Sequence, residues 1–470
     1  MIALSLAEIA AVVGGQTHDI PDPSVQVTGE VVRDSREAGP GSLFAAFVGE
    51  RVDGHDFAAQ VVAQGAVAVL ASRPVGVPAI VVDDVQTALG ALARHVVRRL
   101  GATLVALTGS AGKTSTKDLI AQVLRTKAPT VFTPGSFNNE IGLPLTALSA
   151  TEETKFLVLE MGARGIGHIR YLTDLTPPKI GLVLNVGTAH IGEFGGREQI
   201  AQAKGELVEA LPPAEDGGAA ILNADDPLVR AMASRTKAKV VLFGESAEAD
   251  VRAENVRLTD TGQPAFSLHT PSGASDVTMR LYGEHHVSNA LAAAAVAHEL
   301  GMSAEEIATA LSEAGSLSRW RMEVTERPDG VTIVNDAYNA NPESMRAALR
   351  ALAAMGRGRR TWAVLGKMAE LGDEALAEHD AVGRLAVRLN VGKLVAVGGL
   401  EASWLQLGAY NEGSWGEESV HVSDAQAAVD LLRSELRPGD VVLVKASRSV
   451  GLESVAQALL QSGAEGVDAR

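Results

Sequence analysis

Apolar positions along the chain fall into two alternating patterns. Short unbroken runs rich in Val, Ile, Leu and Ala are separated by stretches in which apolar residues return every three or four positions. Buried strands alternating with amphipathic helices give this pattern. In residues 1–84 the helical spacing from Leu4 to Val13 stops at Gly14 and Gly15, and strand-like runs follow at 42–48, 66–70 and 79–82. Residues 86–100 read as a helix leading into a second unit, 85–317. There, apolar runs at 104–108, 156–160, 180–184, 219–222 and 240–243 alternate with helical segments, among them 118–124 and 198–211. Within the same unit, 250–282 alternates apolar and polar around Gly262 and Gly273, as antiparallel hairpins do, and 290–300 is a strongly apolar helix. From residue 331, strands at 331–334, 361–365, 394–397 and 441–444 alternate with helices near 344–354, 373–389, 424–436 and 449–460. The predicted class is α/β in three domains: a small α/β N-terminal domain (1–84), a central parallel-sheet domain of the phosphate-loop type (85–317) and a C-terminal doubly wound, Rossmann-like domain (318–470).

At 470 residues the chain exceeds one ordinary core, in keeping with that division. Hydrophobic residues make up 46% and aromatics only 4%, the balance of Ala/Val/Leu-rich α/β packing. The net charge of −16 argues against a nucleic-acid or membrane-surface binder while leaving room for a local basic pocket. With no cysteine, thiolate catalysis, zinc–sulfur sites and disulfides are excluded. No signal-peptide pattern opens the chain and no apolar run approaches ~18 residues, so a cytoplasmic protein without membrane insertion is expected.

The chemistry centres on Gly109-Ser110-Ala111-Gly112-Lys113-Thr114-Ser115, where an apolar run breaks into a glycine-flanked turn and then a helix. Glycines let backbone N–H groups close on phosphate oxygens, the helix N-terminus adds partial positive charge and Lys113 a full one. Thr114 is placed to put its hydroxyl on Mg²⁺. The spacing is two residues shorter than the common phosphate-loop pattern. Other candidates sit at predicted strand ends, where open parallel sheets carry their active groups. Glu160 suits a Mg²⁺ ligand or a plain cap. His190, taken alone, reads as a hydrogen-bonded structural histidine, and Lys204 as a solvated charge. Asn138 and Asn139 suit turn caps or groups reaching a nucleotide, metal or substrate. Ser35 and Arg36 suit a phosphate or uracil edge as well as an ordinary solvated turn. The neighbouring His285 and His286 do not share a helix face and make a poor metal site. In the last domain three polar clusters follow strands, at 335–344, 366–372 and 445–448, and point to one cleft. No Gly-x-Gly-x-x-Gly opens that domain, so no dinucleotide is expected.

Taken together, Thr108 to Thr114, Phe137-Asn138-Asn139-Glu140, Glu160-Met161-Gly162, 185–190, Lys204-Gly205-Glu206, 283–289, Arg319 and 335–342 resemble the Mur ligase family, the ATP-dependent amide ligases of peptidoglycan synthesis. These blocks run in order through all three domains. The 335–342 block and the asparagine pair point to the branch that adds D-alanyl-D-alanine to UDP-N-acetylmuramoyl-tripeptide through an acyl phosphate. The Asp-Asn-Pro-Arg motif of the diaminopimelate-adding branch is absent.

The resemblance implies roles. Residues 109–115 with Lys113 would bind ATP. Thr114, Glu160, a carbamylated Lys204 and His190 would hold one or two Mg²⁺ ions. Asn289 would touch adenine, Arg319 the γ-phosphate and Asp336 the ribose, and Asn339 would also bind ATP. Ser35 and Arg36 belong to the segment holding the uridine diphosphate. Asn138, Asn139, Tyr338, Asn341, Lys367, Lys445 and Arg448 would face the acceptor and the incoming dipeptide. Lys113, Lys204, His190 and Arg319 form the implied catalytic set, in a monomer whose domains close on their substrates. Where the family commonly carries Asn and Thr, this chain has Ala111 and Ser115, which removes a side-chain hydrogen bond at the loop. The rival readings are another Mur ligase, a folylpolyglutamate-synthase-like amide ligase, and a nucleotide-dependent switch that performs no ligation.

Overall fold

The computed structural model describes residues 1–187 and 191–465. Among them, three larger sheets follow one another along the chain. The N-terminal sheet runs in the order Gln16–His18, Ala79–Val81, Ala68–Ala71, Leu43–Ala45, Val31–Val32, parallel except for its first strand. Its preceding helix, Leu6–Val13, is capped by Ser5 and ends at Gly14 in the left-handed region, as the sequence signals predict.

The central sheet places Thr103–Thr108 between Phe156–Glu160 and Ile180–Val183, all parallel. Thr130–Phe132 forms one edge, while Ala219–Asn223 and Lys239–Gly244 extend the other side. The stretch predicted as hairpins forms Val251–Leu258, Pro264–Thr270 and Gly273–Thr278, antiparallel to one another. Helix His286–Glu299 is buried along almost its whole length, so it carries no polar face. It packs with Lys113–Arg125 on one side of the sheet. On the other side, helix Val85–Arg99 lies against Leu6–Val13, Gly142–Leu148 and His168–Leu175, and the apolar core runs on from the N-terminal domain into the central one.

The C-terminal sheet runs Glu323–Glu326, Thr332–Asn335, Val441–Lys445, Thr361–Leu365, Lys393–Val397, Ser419–Val422, parallel after the first strand. Three of this domain's elements are not legible in the sequence pattern: strands Glu323–Glu326 and Ser419–Val422 and helix Leu400–Asn411. That helix carries apolar side chains on several faces and a glycine mid-way. It packs backbone to backbone against Ala375–Arg388. A Cβ at Gly408 would lie 2.1 Å from the Asp380 carbonyl oxygen, and one at Gly383 1.9 Å from that of Leu405. Gly383→Ala is therefore expected to destabilise the protein by about 2–3 kcal/mol, read as a lower urea midpoint. An unchanged midpoint would mean that the two helices separate freely.

Candidate active site

The phosphate loop hangs from the carboxyl end of Thr103–Thr108, flanked by the ends of the two neighbouring strands. Gly112 has φ +80°, and a Cβ there would meet Asn289 Oδ1 at 2.7 Å, so both conformation and space require glycine. Helix Lys113–Arg125 begins at once and has no side-chain cap, which leaves its first amides open to an anion. Asn185 fixes the loop from the side. Its Oδ1 accepts from the Ser110 and Ala111 N–H groups at 3.0 and 2.9 Å, and its Nδ2 donates to the Ala111 carbonyl at 3.1 Å. The Gly187 N–H donates to Ser110 Oγ at 2.9 Å. Ala111 is thus held by its backbone, which offsets the side-chain bond it lacks.

Charges gather beside this loop. Lys113 Nζ donates to the Gly109 carbonyl at 2.8 Å. Loss of water lowers its pKa, the nearby Glu160 carboxylate works against that shift, and Arg321 adds to it. Lys204, on helix Arg197–Glu209, is 4% exposed, and burial together with Lys113 holds its amine well below the usual lysine range. Glu160 is buried; its Oε1 accepts from Asn138 Nδ2 at 2.7 Å, while Oε2 meets no partner among the described residues. Arg321 donates to Thr114 Oγ1 at 3.2 Å, its guanidinium lies 4.2 Å over the Tyr338 ring, and its Nε–H is buried without a partner. An orphaned carboxylate oxygen and an orphaned guanidinium N–H, both beside open helix amides, suit a divalent cation and a polyphosphate respectively.

These groups line a cavity of about 880 Å³ to which all three domains contribute: Arg33 from the first, the phosphate loop and Lys204 from the second, Asn339, Glu370 and Arg448 from the third. Lys117 builds its edge. This fully buried lysine donates to the Thr133 and Gly135 carbonyls at 2.7 and 2.9 Å and so ties the loop helix to the segment that carries Asn138. Glu206 does the same for the opposite rim, accepting from the Gly167 and Arg170 N–H groups at the start of His168–Leu175.

Residues 107–297 match the Mur ligase middle domain, 320–448 the Mur ligase glutamate ligase domain, and 30–97 the Mur ligase family catalytic domain. Over 98% of its length the chain is 51% identical to the UDP-N-acetylmuramoyl-tripeptide–D-alanyl-D-alanine ligase of Mycobacterium tuberculosis, of which it covers 98%. The chain belongs to the Mur ligase family. It is 37% identical to the enzyme of the same name from Escherichia coli, with 98% of this chain and 100% of that one covered. Its fold superposes on MurF from Acinetobacter baumannii with a TM-score of 0.86 at 33% identity, covering 98% and 99% of the two chains. It superposes on Thermotoga maritima MurF ligase in complex with ADP with a TM-score of 0.79 at 29% identity, covering 93% and 99%.

In this Mur ligase the sequence-predicted residues fall into groups. Ser110 to Thr114, Asn138, Asn139, Glu160, Lys204, Tyr338, Asn339, Asn341 and Arg448 share the cavity wall. Asn139 and Asn341 face it while capping helices: Asn139 Oδ1 accepts from the Gly142 N–H at 2.8 Å and Asn341 Oδ1 from the Ser344 N–H at 2.8 Å. The Tyr338 hydroxyl bonds Ser136 across the domain boundary. Asn289 is buried behind the loop, accepting from Thr116 Oγ1 at 3.1 Å. Asp336 and Lys445 are buried as a pair, 2.6 Å apart, and Lys445 also donates to the Asn339 carbonyl. Burial lowers the Lys445 pKa and Asp336 opposes the shift.

Gly109, Ser115, Asn289, Asp336 and Lys445 lie off the cavity wall, and so do Lys367, Arg36, Ser35 and Arg319. Lys367 points to Glu401, 2.5 Å away. Arg36 is 85% exposed and turned onto Asp34, and Ser35 stays off the wall with it; the neighbouring Arg33 faces in and lies over the Phe137 ring. Arg319 lines an adjoining hollow of about 410 Å³ with Phe132, Leu317 and Trp320, whereas Arg321 reaches the phosphate loop. Trp320 and Met322 both adopt positive φ, and this double turn selects which arginine faces in. Sequence alone carries no signal for that choice. His190 lies outside the described residues. His285 and His286 are in ring contact, and burial lowers both pKa values, that of His285 to about 4. Among the described residues no cluster of three or more His, Asp or Glu side chains suits a metal.

Proposed function

We propose that the chain is an ATP-dependent peptide ligase that joins D-alanyl-D-alanine to UDP-N-acetylmuramoyl-tripeptide in peptidoglycan synthesis. The observation that carries this is the three-walled cavity, in which an open helix N-terminus, Lys113, Arg321 and an unpaired Glu160 oxygen converge. The names of the relatives and the ADP-bound structural neighbour support it. A carboxylate is a poor acyl donor, so the terminal carboxyl of the tripeptide takes the γ-phosphoryl group of ATP, and the dipeptide amine displaces phosphate from the acyl phosphate.

Lys113 and the first helix amides bind the phosphates, and Arg321 balances the charge that spreads over the moving phosphoryl group. Thr114 and Glu160 are the residues that would hold Mg²⁺, with carbamylated Lys204 as a further ligand. Bound there, the ion neutralises phosphate charge. The lowered pKa of Lys204 favours the neutral, nucleophilic amine that carbamylation requires. The N-terminal domain serves the uridine-diphosphate end, through Arg33 in this geometry. We place the reaction in the cytoplasm, where ATP is available, and among the described residues no helix is long and apolar enough to cross a membrane.

The test is phosphate release from ATP with UDP-N-acetylmuramoyl-tripeptide. Release should require D-alanyl-D-alanine and should not respond to single amino acids or glutamate. Release driven equally by glutamate and a folate acceptor would favour the folylpolyglutamate-type reading. At the residue level, Arg321→Ala should lower kcat/KM by about a hundredfold or more, and Arg319→Ala by much less. The reverse order in steady-state kinetics would return the phosphate role to Arg319.

A further inference from the structure

Two walls of the cavity are accounted for by the proposed reaction: the central domain supplies the phosphate loop with Glu160 and Lys204, and the N-terminal domain supplies Arg33. The third wall, from the C-terminal domain, is left for the third substrate. A dipeptide is a zwitterion, with an ammonium at one end and a carboxylate at the other. The carboxylates on the cavity wall are Glu140, Glu160 and Glu370. Glu160 is buried against Asn138 at the phosphate floor, and Glu140 follows Asn139 in the central domain. Among the described residues, Glu370 is the carboxylate on the C-terminal wall.

Its backbone supports a selected position. Glu370 has φ +64°, a conformation costly for a residue with a Cβ and free for glycine, yet a glutamate occupies it. The turn that imposes this angle is fixed on both sides. The Met368 N–H donates to His379 Nε2 at 2.9 Å, the Ala369 N–H to Ser447 Oγ at 2.9 Å, and Leu371 is buried. Ser447 precedes Arg448, the guanidinium of the same wall, which lies 4.3 Å over the Trp320 ring and pairs with Glu453. One hydrogen bond therefore ties the loop that carries Glu370 to the loop that carries Arg448.

We propose that Glu370 receives the ammonium group of the incoming dipeptide and so keeps that nitrogen, rather than the carboxylate end, turned toward the activated acyl group. It is a substrate-binding residue that decides which end of the dipeptide faces the activated acyl group. This assignment rests on the ligase reading given above.

The test is steady-state ligation by the full-length protein carrying Glu370→Gln or Glu370→Gly, with propionyl-D-alanine, the same skeleton without its ammonium, as competitor. Glu370→Gly relieves the backbone and serves where Glu370→Gln does not fold. In either variant the KM for D-alanyl-D-alanine should rise about tenfold or more, the scale of a charge-assisted hydrogen bond. The KM values for ATP and for the nucleotide-linked tripeptide should stay unchanged. Wild type should prefer the dipeptide over the competitor by about the same factor, and the variants should lose most of that preference. An unchanged dipeptide KM, an equal rise in all three KM values, or full retention of the preference would each overturn the assignment. A wild-type protein without dipeptide-dependent phosphate release would instead overturn the ligase reading itself.

Discussion

Replacing Lys113 with alanine should reduce ligation on the order of a thousandfold, because in the proposed reaction this side chain is the principal cation facing the phosphates. The Lys113 ammonium donates to the Gly109 carbonyl and sits within the field of Glu160. Its loss leaves the loop's shape to Asn185, which still binds Ser110 and Ala111. The fold should therefore survive, with an unchanged far-ultraviolet circular dichroism spectrum, while ATP binding and turnover collapse together. Near-normal turnover in Lys113→Ala would remove this lysine from the reaction.

Lys204 should show the opposite signs in activity and stability. Lys204→Met should be inactive, with a loss again on the order of a thousandfold, because no carbamate can form on a thioether. Lys204→Ala should be inactive too, yet partly rescued by formate or acetate, which can occupy the vacated carboxylate position. In CO₂-free buffer the methionine variant should be more stable than wild type. The buried amine has a pKa well below that of an exposed lysine, so the unfolded chain binds a proton that the folded chain gives up. Stability tied to that group therefore increases with pH. The penalty is full below the folded pKa and fades as pH climbs toward the unfolded value of about 10.4. The stability gain in Lys204→Met should thus be larger at neutral pH than at pH 10. Equal gains at both, in urea titrations, would show that Lys204 folds in its charged form. Mass spectrometry of active enzyme with an unmodified Lys204 would refute the carbamate.

The two lysines also show what a sequence can and cannot convey. Lys113 was legible because strand, glycine turn and helix are encoded locally, and the turn's need for Gly112 is a backbone property. Lys204 read as a solvated charge, since helical spacing reports which face is apolar and not what another strand's loop brings over it; its proposed role is what the family resemblance implies. Asn138 and Asn139 look alike in sequence but divide their work, one reaching Glu160 and the other capping Gly142–Leu148. Arg321, Arg33, Lys117 and Glu370 gave no signal of their own. Each owes its position to a turn or to a contact between domains: positive φ on both sides of Arg321, an aromatic ring beneath Arg33, two carbonyls around Lys117 and a pinned loop under Glu370. The alternation of strands and helices was readable in the sequence, whereas Leu400–Asn411 was hidden because its close approach to Ala375–Arg388 depends on glycines rather than on an apolar stripe.

The proposed ligation requires transfer of a phosphoryl group to a peptide carboxylate. Tripeptide substrate labelled with ¹⁸O in its terminal carboxylate, incubated with ATP and D-alanyl-D-alanine, should deliver one labelled oxygen to each inorganic phosphate released. Phosphate free of the label, with the amide bond nonetheless formed, would contradict it.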